Sequence, residues 1–282
     1  MSENFEIKYQ INKGGFGDIF LGFNSDNNTN VLIKLEYVNS CKKSSIINEY
    51  IIYKELDNTI YFPKIYSYYN KCNTDILVME LNGPNLQQVY KYCNKQFSLK
   101  TILMLFIQLL KRVQYIHSKY IIHCDIKPNN IILGNLNNLN IIKLIDFGLS
   151  HKYYDINSNT HIKFKSNKFK GTTTFCSINA LKEFTLGRKD DLECLGYTMI
   201  YLLTNTLPWN NLLKKDVLNK KILTSIDELC SNCPNEFNIY MNYIKLLKFN
   251  EQPNYDFLIL LFHTLFITKN YKYDNKYDWI TL

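Results

Sequence analysis

The fold is decided by "HCDIKPNNIIL", residues 123–133, followed shortly by "IIKLIDFG", residues 141–148. Asp125 stands in a polar turn between apolar runs, where a carboxylate can accept a hydroxyl proton. Lys127, two positions on, can neutralise a group that carries negative charge. Asn130 and Asp146 offer the amide and carboxylate oxygens that a hard cation such as Mg²⁺ prefers. Each is an ordinary loop residue when taken singly; the order in which they come is the signal.

Upstream, "NKGGFGDIFLG" (residues 12–22) places Gly14, Gly15 and Gly17 between two strand patterns. Glycines there let backbone N–H groups approach a phosphate closely, although a glycine-rich hairpin turn fits the same residues. Asn12 occupies the first position of what would be G-x-G-x-x-G, and Asn tolerates positive φ better than most residues. "VLIK" puts Lys34 on the following strand, where a lysine can pair nucleotide phosphates or lie solvated. Glu49, on the predicted helix that follows, favours the first reading because an acid there can hold the lysine in place.

"GDIFLGF", "VLIKLEYV" and "DILVMEL" read as strands, "NSDNNTN" as a polar turn, and "SSIINEYIIYKEL" as a helix over 44–56. Beyond "NGPNL", Leu99, Leu103, Phe106, Leu110, Val113 and Ile116 recur at spacings of three and four, which predicts one long buried helix. Further helices are expected around 191–204 and 255–267. A strand-rich lobe therefore precedes a helix-rich one, an α+β architecture with its boundary near residues 81–84. At 282 residues, two joined lobes fit better than two free domains.

The residues now resemble a known family. "GFGDIFLG", "MELNGPNL", "IDFGLSHKY", "SINALKEF", "RKDDLECLGYTMIYLLTNTLPW" and "PNYDFLILLF" are similar to the casein kinase I family of Ser/Thr protein kinases, from about residue 5 onward. Ser177, Ile178 and Asn179 stand where most protein kinases have Ala-Pro-Glu, and the motif order matches the general kinase set. The resemblance implies a bilobal kinase domain over 1–282, with an N-lobe to about residue 80, a hinge at 80–84 and a C-lobe from about 85. It implies ATP and Mg²⁺ as cofactors, with Asn130 and Asp146 on the metal and Asp125, Lys127, Lys34 and Glu49 as the catalytic set. The nucleotide would be bordered by Ile11, Asn12, Gly14, Gly15, Gly17 and Ile19, by Met79, Glu80 and Asn82 at the hinge, and by Ile132. Asp191 would brace the catalytic loop. Leu32 replaces the family's usual Ala, and its bulk would reshape the adenine pocket.

Cys124 departs from the family, which has Arg between the His and the Asp of this loop. His151 stands where Lys is expected and Thr174 where Arg is, so the family's pocket for already phosphorylated substrates should be weakened. "HIKFKSNKFK" keeps Lys163, Lys165, Lys168 and Lys170, which predicts a diffuse preference for acidic protein substrates. Without the Arg, activity is not expected to wait on phosphorylation between residues 149 and 176. A pseudokinase-like or catalytically weak scaffold is the alternative, disfavoured because Lys34, Asp125, Asn130 and Asp146 are all present. A small-molecule kinase is disfavoured by the Lys-Pro pair at 127–128.

Composition bounds the rest. The net charge of +8 allows acidic partners, but no basic segment interleaved with aromatics suggests nucleic-acid binding. "MSENFEIKYQ" lacks the apolar run of a secretory leader, and the longest apolar runs are too short to span a bilayer. The expectation is a soluble, intracellular monomer of cytoplasm or nucleus, with its eight Cys reduced. Cys230 and Cys233 form a lone CxxC that reads as chance spacing ahead of zinc. His117 and His263, in apolar helical stretches, read as packing residues.

Overall fold

The computed structural model describes residues 4–14, 17–38, 44–57, 59–135 and 138–280. The chain divides into two compact units, Met1–Gly83 with Leu133–Ser150, and Pro84–Ile132 with His151–Leu282.

The first unit is built on strands β1 (Phe5–Gly14), β2 (Gly17–Asn24), β3 (Thr29–Tyr37), β4 (Ile65–Lys71) and β5 (Thr74–Glu80). They form one antiparallel sheet in the order β1-β2-β3-β5-β4. Side chains alternate across a strand, so Val31, Ile33, Ile76 and Val78 share one buried face, backed by Phe5, Ile7, Phe20 and Leu35. The register pairs Ile19 with Lys34 and Leu32 with Met79. Ile19, Leu32, Lys34 and Met79 therefore lie on the opposite face. Helix α1 (Ser45–Glu55) matches the predicted helix to within a residue at each end. Its start is fixed by Ser44, whose hydroxyl accepts from the Ile46 and Ile47 amides. Glu36 on β3 reinforces that end, taking hydrogen bonds from both Ser44 and Ser45 hydroxyls and from the Ile46 amide.

The second unit is helical: α2 (Leu86–Tyr92), α3 (Leu99–Ser118), α4 (Ile178–Leu181), α5 (Arg188–Thr204), α6 (Lys214–Leu223), α7 (Ile226–Leu229), α8 (Asn235–Leu246) and α9 (Tyr255–Thr268). Helix α3 has the predicted limits, and Leu103, Phe106, Leu110, Val113 and Ile116 are buried as its spacing requires. Phe106 stacks on Phe262 of α9 at 4.1 Å and meets Tyr240 of α8 edge-on at 5.0 Å. Truncating such a ring to Ala costs about 3–5 kcal/mol, through lost transfer energy and the cavity left behind. Ser98 caps α3, and the Asp278 carboxylate accepts from the Ser98 amide and hydroxyl at 2.6 and 2.8 Å. Helix α5 packs against α3 and α8.

One division differs from the sequence reading, which ran the second lobe unbroken from residue 85. Residues 133–150 return to the sheet-bearing unit. Gly83 donates its amide to the Leu133 and Gly134 carbonyls, and Lys143 forms a 2.7 Å ion pair with Glu80. No helix among the described residues is long and apolar enough to cross a membrane.

Candidate active site

In the first unit, the sheet register presents Lys34 to helix α1. Its Nζ lies 2.8 Å from both carboxylate oxygens of Glu49, which is almost wholly buried. Burial works against the ammonium, but the charges of Glu49 and Asp146 outweigh it and hold the Lys34 pKa above its ordinary value. Asp146 has a φ of 70°, the left-handed region that costs energy for any residue with a Cβ.

Gly14 and Gly17 close the β1–β2 hairpin. Gly17 has a φ of +117°, and a Cβ there would come within 2.2 Å of the Leu35 carbonyl oxygen, so nothing larger fits. Gly15 lies outside the described residues. Ile11 and Asn12 are exposed on β1, Ile19 is half-buried, and Met79 is buried. The Glu80 side chain is tied to Lys143 and to the Lys64 amide, and its carbonyl accepts from Asn82 Nδ2 at 3.1 Å. Any hinge role of Glu80 thus falls to its backbone.

In the second unit, the catalytic-loop residues are brought together. Lys127 Nζ donates to Asp125 Oδ2 at 2.7 Å and to the Thr172 hydroxyl at 2.7 Å, and Thr172 donates to Asp125 Oδ1 at 2.8 Å. Gly171, at φ +99°, allows this approach, since a Cβ there would meet the Cys124 carbonyl at 2.8 Å. Asn130 Nδ2 donates to the Asp125 carbonyl at 2.9 Å and to its carboxylate at 3.2 Å. That commits its nitrogen and leaves the amide oxygen as the end suited to a cation. Ile132 is buried and bridges to Asn85.

Asp191, on α5, holds this loop from behind. Its carboxylate accepts from the His123 amide at 2.7 Å, the Cys124 amide at 2.8 Å and His117 Nε2 at 2.9 Å. Burial pushes the Asp191 carboxyl up, but these bonds outweigh it and the pKa is lowered. Burial likewise lowers that of His117, consistent with a neutral ring whose Nδ1 meets the Tyr255 hydroxyl at 2.5 Å. His117 is therefore a brace for Asp191 and more than the packing residue its setting suggested. His263 stacks on Tyr273 at 5.8 Å, as a packing residue would.

Cys124 is fully buried at φ 73°. Its Sγ lies 3.2 Å from His151 Nδ1, and His151 Nε2 lies 3.1 Å from the Leu186 carbonyl oxygen. Burial, with Asp191 nearby, pushes the Cys124 thiol up. Burial and Lys170 bring His151 down to about 4. Both are neutral at physiological pH, so the thiol donates to Nδ1 and Nε2–H donates to the carbonyl. Two positions where the sequence lost an expected cation have become partners. Further along, the Thr185 amide donates to the Lys165 carbonyl and the Asn167 amide to that of Glu183. The lysine-bearing segment is tied down by backbone bonds there.

Sequence reasoning missed Thr172, because "GTTTF" gives no sign of which hydroxyl faces Asp125. The CxxC thiols, Cys230 and Cys233, are pushed by burial to about 12 and 11. Among the described residues no three His, Cys, Asp or Glu gather as a metal cluster.

The family model of the protein kinase domain matches residues 5–261. The chain belongs to that family, whose domain in general serves phosphoryl transfer with ATP and a divalent metal.

Proposed function

We propose that this chain is a Ser/Thr protein kinase of casein kinase I type, folded as a single kinase domain over 1–282. The observation that carries the reading is the Asp125–Lys127–Thr172 triangle. A lysine two residues after the catalytic acid is the Ser/Thr form of the loop, and here that lysine is held on the acid. ATP with Mg²⁺ supplies the phosphoryl group and the charge that neutralises it. Magnesium is content with one or two protein oxygens plus phosphate and water, a set that the Asp146 carboxylate and the Asn130 amide oxygen fit.

Asp125 accepts the proton of the substrate Ser or Thr hydroxyl and orients its oxygen. Lys127 neutralises charge that develops on the transferring group, while Lys34, steadied by Glu49, pairs nucleotide phosphates. Gly14, Gly15 and Gly17 cover the phosphates. Ile11, Asn12, Ile19, Met79 and Ile132 border the adenine side, with the backbone of Glu80 to Asn82 as hinge and Leu32 narrowing the pocket.

Cys124 leaves the loop live without an activation-segment phosphate, because the Cys124–His151–Leu186 chain of neutral bonds joins it to both flanks of that segment. The exposed Lys163, Lys165 and Lys168 favour acidic substrates, and the enzyme acts as a monomer in cytoplasm or nucleus. Phosphorylation of a degenerate peptide library with ATP and Mg²⁺ tests the reading. Transfer to Ser and Thr in acidic contexts is expected; transfer to Tyr alone, to small alcohols alone, or to nothing would overturn it.

A further inference from the structure

Helix α1 carries a second group besides Glu49. Asn48, the preceding residue, turns its amide into the loop that follows Asp146. Its Nδ2 lies 3.0 Å from the Phe147 carbonyl oxygen, 3.1 Å from that of Gly148 and 3.0 Å from that of Ser150. Three converging carbonyls fix which end of the amide faces them, since Oδ1 in that place would meet only lone pairs. Two hydrogens serve three acceptors, so at least one bond is shared. The loop closes on itself through the Ser150 amide and the Phe147 carbonyl at 3.1 Å. Phe147 is fully buried, edge-on to Tyr53 at 5.1 Å and Phe62 at 5.8 Å. Asp146 just before it sits in left-handed backbone, which persists only where its surroundings enforce it.

We propose that Asn48 is a positioning residue, whose amide ties the loop presenting Asp146 to the helix presenting Glu49. The lysine partner and the metal-binding carboxylate are then set by one element, which is itself fastened to β3 by Glu36 and Lys34. The proposal rests on the metal role given to Asp146 above.

Two substitutions separate this role from space filling. Asn48→Ala removes the donor; Asn48→Asp keeps the size but turns a carboxylate oxygen toward three carbonyls. Hydrogen exchange at Gly148–Ser150 is measured on the protein free of nucleotide and metal, and nucleotide affinity is measured with and without Mg²⁺. Both variants should exchange faster, Asp more than Ala. The gain in nucleotide affinity that Mg²⁺ brings should fall by roughly 10–100-fold, the scale for residues that orient a metal ligand. Affinity without Mg²⁺ should stay close to that of the parent. Should the Asp variant fail to fold, exchange in the Ala variant decides alone. Unchanged exchange, or Ala more damaging than Asp, overturns the proposal. Lys34→Met serves as the reference: if it leaves nucleotide affinity untouched, the kinase site assignment itself has failed, whatever Asn48 does.

Discussion

The Lys34–Glu49 pair and the Cys124–His151 pair are both partly buried links, each with one wholly buried member, yet one is ionic and the other neutral. An ion pair held out of water repays its desolvation only with good geometry and a use for the charge. Lys34 has the geometry, with two 2.8 Å contacts, and the proposed function gives its charge a use against nucleotide phosphate. At residue 124 the family's Arg would bring a charge that requires an anion. Cys124 asks for none, and one thiol donor with one ring acceptor satisfies it. On the proposed function, charge is kept where an anion is to be bound, and neutral bonds serve where the loop need only be ordered.

The largest effect should come at Asp125. Asp125→Asn should lower turnover by roughly 10²–10⁴-fold, the contribution of a positioned general base. Nucleotide affinity, measured on the same sample by calorimetry, should be nearly unchanged. Loss of both would make Asp125 a structural residue and remove the contrast.

On the ionic side, Lys34→Met should lower turnover by roughly 10²–10³-fold, as expected when one preorganised electrostatic group is lost. Steady-state kinetics on a folded variant check this. Wild-type turnover would mean that the buried pair is only a strut.

On the neutral side the handle is pH. The folded-state pKa of His151 is depressed from 6.5 to about 4, so the folded protein resists protonation there. Its stabilising contribution is complete above about pH 6.5 and is lost as pH falls toward 4, by up to about 3 kcal/mol at 1.4 kcal/mol per pKa unit. Asp190 acts oppositely: burial, then Glu193, raise it to about 7, so its contribution is lost as pH rises through 7. The difference in urea stability between parent and His151→Asn isolates the His151 share. That difference should shrink as pH falls from 6.5 to 4; a flat difference would show that the ring is not held neutral.

Much of this was legible in the sequence, because periodicity reports local structure. Helix α3 has the limits its apolar spacing implied, and the strand patterns of the first unit became one sheet. The partners that complete the site were not legible, since they meet across long stretches of chain. Asn48 contacts carbonyls about a hundred positions away, and a polar residue on a short helix reads as solvated. Cys124 and His151 each looked like the loss of a cation; only the fold shows them as a pair.

The measurement that tests the neutral link most directly uses enzyme freed of phosphate by phosphatase, with primed, acidic and neutral versions of one peptide. Activity should be unchanged after phosphatase treatment, with the primed and acidic peptides phosphorylated at similar rates and both ahead of the neutral one. An inactive dephosphorylated enzyme, or a large preference for the primed peptide over the acidic one, would contradict it.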